Sequence, residues 1–385
     1  MSWPMVSIES VAKVITGKTP PKADPNCFGG NIPFITPSEL TDSDYLLKPE
    51  TTLTEKGLAT TKLIPKNSIL VCCIGSLGKM AIADLPVATN QQINSVIFDD
   101  DKIYYRFGFY ALKLLKNDLK KIAPSTTVAI INKSRFSELK IPCPPLEEQK
   151  RIATILDKAD GIQKKREQAI KLADDFLRAK FLEMFGTPAN NIHRFPKGTI
   201  RDLVDSVNYG TSAKASIDSG EYPILRMGNI TYQGRWDFTD LKYLDLSVKE
   251  KDKYLVKEGD LLFNRTNSKE LVGKTAVYEE DRPMAFAGYL IRVRPNSIGN
   301  NYYISGYLNS IHGKITLMNM CKSIVGMANI NAQELQNIEI LIPPKHLQDE
   351  YEIIYKKIKK GLSIYDKSAM QLQLLASNLS NKYFM

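Results

Sequence analysis

The sequence predicts an α+β protein: two mixed, strand-rich domains in tandem, each followed by a long helix, the two helices pairing as an antiparallel coiled coil with approximate twofold symmetry. Three observations predict it. The chain repeats itself; the segment after each repeat switches to a coiled-coil period; and each globular half is cut into short β-branched and aromatic runs by Gly, Pro, Asn and Asp.

The repeat is direct. V-A-I-I-N-K-S-R-F-S-E-L-K-I-P-C-P-P from Val128 to Pro145 aligns without gaps with M-A-N-I-N-A-Q-E-L-Q-N-I-E-I-L-I-P-P from Met327 to Pro344, at a constant offset of 199 residues. Upstream, Gly30, Pro33 and Ile35 match Gly220, Pro223 and Leu225, L-I-P-K-N-S-I-L matches L-V-K-E-G-D-L-L, and Gly78-Lys79 matches Gly273-Lys274. The expected domains are therefore 1–145 and 187–343, with helices over 146–186 and 344–385. Inside the domains, Ser68–Ile74, Ile93–Phe98, Asp260–Phe263 and Tyr289–Val293 read as strands, and Lys102–Ile122 and Asn301–Met320 as helices.

After Pro144-Pro145, residues Ile152, Ile155, Ala159, Ile162, Ala169, Ala173 and Phe176 follow the alternating three- and four-residue steps of a coiled-coil seam, broken only at Arg166. The steps Tyr351, Ile354, Ile358, Leu362, Tyr365, Ala369, Leu372, Ala376, Leu379 and Tyr383 repeat this after Pro343-Pro344. Proline is tolerated in a first helical turn because its missing N–H has no partner there anyway. A helix from Glu147 to Phe185 spans roughly 58 Å at 1.5 Å per residue, longer than one small domain needs, and reads as a spacer.

A length of 385 residues exceeds one ordinary core, and 43% hydrophobic with 24% charged residues is a globular balance. The net charge of +10 and the sequence pI near 9.1 favour a polyanionic partner without specifying one. Five cysteines without a C-x-x-C pair and three scattered histidines argue against zinc. The amino terminus lacks the charged and apolar regions of a signal peptide, and no stretch approaches 18 apolar residues, so the expected location is the cytoplasm, with reduced thiols.

No catalytic constellation emerges. G-S-L-G-K-M and L-V-G-K-T carry Cys73 and Ser268 where a Walker A loop needs its first glycine. There is no N-P-P-aromatic or D-P-P-aromatic tetrapeptide and no F-x-G-x-G loop for a methyl donor. Glu138-Leu139-Lys140 at the repeat boundary reads as an ordinary strand edge, not part of a nuclease site.

The chain resembles the specificity subunit of type I restriction-modification systems along essentially its whole length. The resemblance rests on T-G-K-T-P (Thr16–Pro20), G-N-I-P-F-I-T (Gly30–Thr36), L-T-E-K-G-L (Leu53–Leu58), I-G-S-L-G (Ile74–Gly78) and above all I-P-C-P-P-L-E-E-Q-K-R-I-A (Ile141–Ala153), degenerate in its second copy as P-P-K-H-L-Q-D-E-Y (Pro343–Tyr351). It implies two target-recognition domains that each read one half of a split duplex DNA target, and helices that set the gap and bind two modification subunits. Glu147, Gln149, Ile152, Leu156, Gln348, Tyr351 and Tyr355 are then the expected partner contacts. S-adenosylmethionine, ATP and Mg would reside on modification and restriction subunits, with no cofactor on this chain. The second copy has Lys345, His346 and Leu347 where the first has Leu146, Glu147 and Glu148, a departure at that partner surface.

Base edges are read by paired donors and acceptors, and phosphates by Lys, Ser, Thr and loop amides. The expected DNA contacts in the first domain are Lys18, Thr19, Ser76, Lys79, Asn90, Gln91, Gln92 and Asn94 in the run Thr89–Asn94, and Thr126 and Thr127. In the second they are Tyr209, Thr211, Ser212, Arg226, Asn229, Asn264, Arg265, Thr266, Asn267, Lys269, Lys274, Lys322 and Ser323, with Arg226 and Arg265 the foremost candidates for base contact. Two other readings compete: a coiled-coil assembly protein without DNA readout, and a divergent self-sufficient DNA methyltransferase.

Overall fold

The computed structural model describes residues 3–41, 44–122, 129–268, 271–324 and 327–362. By compactness the chain divides within its central helix, at Lys164, and the two units are described separately.

Unit 1 is built on a four-stranded antiparallel sheet in the order Ala12–Thr16, Ile93–Phe98, Ile69–Cys72, Met80–Ile82. A second sheet sets Phe28–Ile35 between Thr52–Leu53 and Ala88–Thr89, the last pairing being parallel. Strand Ile69–Cys72 is buried on both faces. Ile69 and Val71 pack with Phe107, Phe136 and Ile152, whereas Leu70 and Cys72 pack with Ile35, Ala81 and Val87. That double burial explains a continuous apolar run in place of alternation. A short clasp, Met5–Ser7 antiparallel to Lys140–Pro142, closes the domain where the repeat motif ends.

Unit 2 repeats these sheets and adds a further antiparallel one, in the order Thr266–Asn267, Met327–Asn329, Lys322–Ile324. Its main sheet runs Val204–Tyr209, Leu290–Pro295, Leu261–Asn264, Thr275–Val277, its second sheet sets Tyr222–Leu225 between Lys242–Leu244 and Ala285–Phe286, and its clasp is Lys197–Thr199 with Glu339–Leu341. The helix expected over Lys102–Ile122 is two helices, Tyr105–Leu114 and Lys116–Ile122, and that over Asn301–Met320 is Asn301–Asn309 and Ile311–Met320. In unit 2 Ser310 makes the break, its hydroxyl accepting from the Gly313 amide at 3.0 Å as the cap of the next helix.

The central helix is continuous over Leu146–Phe185, and residues 345–362 are helical. Each is fixed at its first turn by a glutamine with no exposed surface. Gln149 accepts from the Tyr104 amide and donates to the Lys102 and Pro144 carbonyls, all at 2.8 Å. Gln348 donates to the Ile298 and Pro343 carbonyls, at 3.0 and 2.8 Å. Within unit 2, Phe181 and Phe185 meet the Tyr351 ring edge to face, while Asp174 and Leu177 line a small cavity with Tyr355, Lys359 and Leu362. Rising numbers on one helix meet falling numbers on the other, so the pair is antiparallel there.

The expected seam is only partly what is buried. Ile152, Leu156, Leu177, Phe181 and Phe185 are buried, whereas Ile162 and Phe176 are exposed. Docking onto a globular domain selects a different stripe of the helix from the one a heptad count selects. Seam positions from Tyr365 to Tyr383 lie outside the described residues. Among the described residues, no helix is long and apolar enough to cross a membrane.

Candidate nucleic-acid interface

Three loops at one end of each main sheet are tied into a continuous rim by the same main-chain hydrogen bonds in both units. In the first loop, Gly17 and Lys18 donate to Ile93 and Thr89, as Gly210 and Thr211 donate to Leu290 and Phe286. Glycine is required at its start: a Cβ would lie 2.2 Å from the Thr89 carbonyl oxygen at Gly17, and 2.3 Å from that of Phe286 at Gly210. In the second, Cys73 donates to the Gln92 carbonyl as Arg265 does to that of Tyr289, and in turn Ile131 donates to Cys73 as Ile330 does to Arg265. In the third, Gly78 donates to the Cys72 carbonyl and Cys72 to that of Lys79, as Gly273 does to Asn264 and Asn264 to Lys274.

On that shared frame the side chains differ. Thr16, Cys73 and Gln92 in unit 1 occupy the positions of Tyr209, Arg265 and Tyr289 in unit 2. The Arg265 guanidinium lies 4.8 Å from the centre of the Tyr209 ring, and the Tyr209 hydroxyl accepts from the Ala332 amide at 2.9 Å, which holds the ring in place. At the matching place in unit 1 the Cys73 thiol is pushed up to about 12 by burial, against the hydrogen bond from Asn94. It is an inert core group.

Unit 1 exposes Lys18, Ser76, Lys79 and Gln91 and half-buries Thr19 and Gln92, with the Thr19 hydroxyl donating to Gln91 at 2.6 Å. Unit 2 exposes Tyr209 and Ser212 and half-buries Arg265, Thr266 and Asn267. Tyr289, which the sequence reading passed over, is 55% exposed beside Arg265. Its signal was available, since pairing the two repeats places it opposite Gln92.

Other expected DNA contacts turn inward. Asn94 is buried and accepts from Thr16 at 2.7 Å, and Asn90 is buried and bonded to Gln92. Thr211 is buried and caps the Ala213 amide, and Asn229 braces the Asp237 and Asp240 carbonyls. Asn264 is fully buried in its strand. Lys274 is buried with its ammonium on the Met227 carbonyl at 2.8 Å, and burial holds it below the ordinary lysine range. Arg226 is held by Asp240 at 2.8 Å. Several of these side chains satisfy loop backbone that has no ladder partner: Asn90 at the Gln92 amide, Thr211 at the Ala213 amide, Asn229 at the Asp237 and Asp240 carbonyls and Lys274 at the Met227 carbonyl. The Asn264 side-chain amide, by contrast, is buried without a hydrogen-bond partner among the described residues. Thr126, Thr127 and Lys269 lie outside the described residues, and of Lys322 and Ser323 only the backbone is described, in strand Lys322–Ile324.

The helix residues divide similarly. Gln149, Ile152, Leu156, Gln348 and Tyr351 are buried in their own units, where they seat the helix on its domain. Tyr355 is half-buried against Tyr302, and Glu147 is exposed.

Residues 2–172 and 195–376 match the family model described as the type I restriction modification DNA specificity domain. The chain belongs to that family. The two matched segments are the two repeats, and the function of such a specificity subunit is DNA recognition. The specificity subunit of the MjaIX type I restriction enzyme of Methanocaldococcus jannaschii is 23% identical over 99% of this chain and 92% of its own length. That of EcoKI from Escherichia coli is 23% identical over 98% of this chain and 86% of its own. The crystal structure of a type I restriction-modification S subunit from M. genitalium shares the fold, with a TM-score of 0.66 at 18% identity over 100% of this chain and 96% of that one.

Proposed function

We propose that each rim reads one half of a bipartite duplex target, and that the chain, without chemistry of its own, delivers modification and restriction subunits to it. The observation that carries this reading is the identity of the two loop frames combined with the difference of their side chains. A fixed backbone presents Thr16 and Gln92 on one rim and Tyr209, Arg265 and Tyr289 on the other, with buried Cys73 standing where unit 2 has Arg265, which suits two base sequences and one docking geometry. Adenine methylation with S-adenosylmethionine would reside on two modification subunits, and ATP-driven translocation and cleavage on restriction subunits, all in the cytoplasm.

The test is to co-express the chain with the modification subunit encoded beside it in a methylation-free host and map methylated adenines genome-wide. A split motif is expected. Arg265→Ala should relax one half-site alone, by about 1–3 kcal/mol at the base it contacts, and leave the other half unchanged. A stable complex that methylates nothing, or a change in both halves, would refute the assignment.

A further inference from the structure

Away from the rim, unit 2 carries a half-open groove of about 440 Å³ between the turn before Gly273 and helix Ile311–Met320. One wall is aliphatic. Ile311, Ile315 and Met318 follow the four- and three-residue steps of a single helix face, and that face points outward: the three are 67%, 48% and 42% exposed, with Leu271 and Tyr232 opposite them. The floor is cationic. The Lys314 ammonium lies 5.1 Å from the centre of the Tyr232 ring and 3.4 Å from the Gly273 carbonyl oxygen, with Lys274 close behind and Arg178, which is 3.8 Å from Asp175, in the lining. No carboxylate is among the described residues that line it.

A desolvated ammonium among like charges is stabilised by an incoming anion, because the repulsion and the lost hydration are offset together. Burial, then Arg178 and Lys274, lower Lys314 to about 8. DNA phosphate would answer the cations but leave the isoleucines in water. A peptide that sets a large apolar side chain next to a carboxylate answers both.

We propose that this groove is a docking site for a partner subunit, through a segment in which an aliphatic or aromatic side chain stands within about one helical turn of an Asp or Glu. The proposal rests on the reading of the chain as a subunit that assembles with partners.

The experiment places p-benzoylphenylalanine at Ile315 of the full chain. The protein is photolysed alone, with the modification subunit, with the restriction subunit and with duplex DNA. A cross-link to one segment of a partner subunit carrying that acidic and apolar pair is expected. Ile311→Glu and Lys314→Glu should each weaken that assembly tenfold or more while duplex affinity stays within twofold. Cross-links to DNA alone, no cross-link in an assembled complex, or assembly unchanged by both variants would overturn the proposal. If the unmodified chain joins neither subunit, the partner-delivering role falls together with it; if it joins one and the variants are silent, only the groove assignment falls.

Discussion

Gln149 and Gln348 occupy matching places in the two repeats but are not equally satisfied. Gln149 makes three hydrogen bonds, whereas Gln348 makes two and leaves its carbonyl oxygen buried without a partner. Gln149→Ala should therefore destabilise unit 1 by about 2–4 kcal/mol, and Gln348→Ala should cost unit 2 about half of that, since stranded buried polar groups set the loss. The two tryptophans, Trp3 and Trp236, fall one in each unit, so urea unfolding followed in single-tryptophan variants separates the two losses. Equal losses would contradict this account. Lys314 supplies a second check at this scale. Its folded-state value near 8 lies below the ordinary 10.5, so the folded state binds this proton more weakly than the unfolded chain does. The penalty for charging it in the folded state is absent above 10.5, grows as the pH drops through the window from 10.5 to about 8, and is constant below that. Lys314→Met should raise stability at pH 7, with the gain shrinking toward pH 10 in matched denaturation series.

At the scale of elements, each domain grips the long helices through ion pairs. In unit 1 the cation belongs to the domain: Arg106 on helix Tyr105–Leu114 pairs with Asp157 on the central helix and with Asp44 at 3.3 Å, and the Tyr110 hydroxyl donates to Asp157 at 2.7 Å. Burial alone would lower the Arg106 pKa, but the Asp157 hydrogen bond and the surrounding negative charge raise it instead. In unit 2 the domain supplies both signs: Glu279 receives Lys359 and the Tyr302 hydroxyl, and Arg235 pairs with Asp174 on the central helix. Arg106→Ala should cost unit 1 about 3–5 kcal/mol, because Asp157 and Asp44 then lose a largely buried partner. Unfolding read at Trp3 should show that loss while unfolding read at Trp236 stays put; a loss below 1 kcal/mol would mean that apolar packing of Ile152 and Leu156 alone seats the helix.

At the scale of the whole molecule, the two repeats are joined by one uninterrupted helix of 40 residues, and the proposed function makes its length the measure of the unread gap in a split target. Seven residues inserted after Gln168, continuing the helical pattern, add about 10 Å, or roughly three base pairs. Methylation mapping should then return the same two half-sites with a longer gap. An unchanged gap would remove the helix from that role.

The sequence by itself determined the duplication, the α+β composition of each half, the place where each long helix begins and the family, because these are written in periodic pattern and in motifs of fixed spacing such as P-P-L-E-E-Q. The tertiary structure alone decided which polar residues face outward. Asn90, Asn94, Asn229, Asn264 and Lys274 have the composition of DNA-contacting loops, yet close approach of strands and turns places them inside, where Asn90 accepts from the Gln92 amide, Asn94 accepts from the Thr16 hydroxyl, Asn229 and Lys274 donate to backbone carbonyls and Asn264 is stranded. Tyr289 and the outward face of helix Ile311–Met320 are the converse case. Their apolar character reads as core along the chain and becomes surface only in the fold, because burial depends on which segments meet across more than a hundred residues, and local spacing carries no record of that.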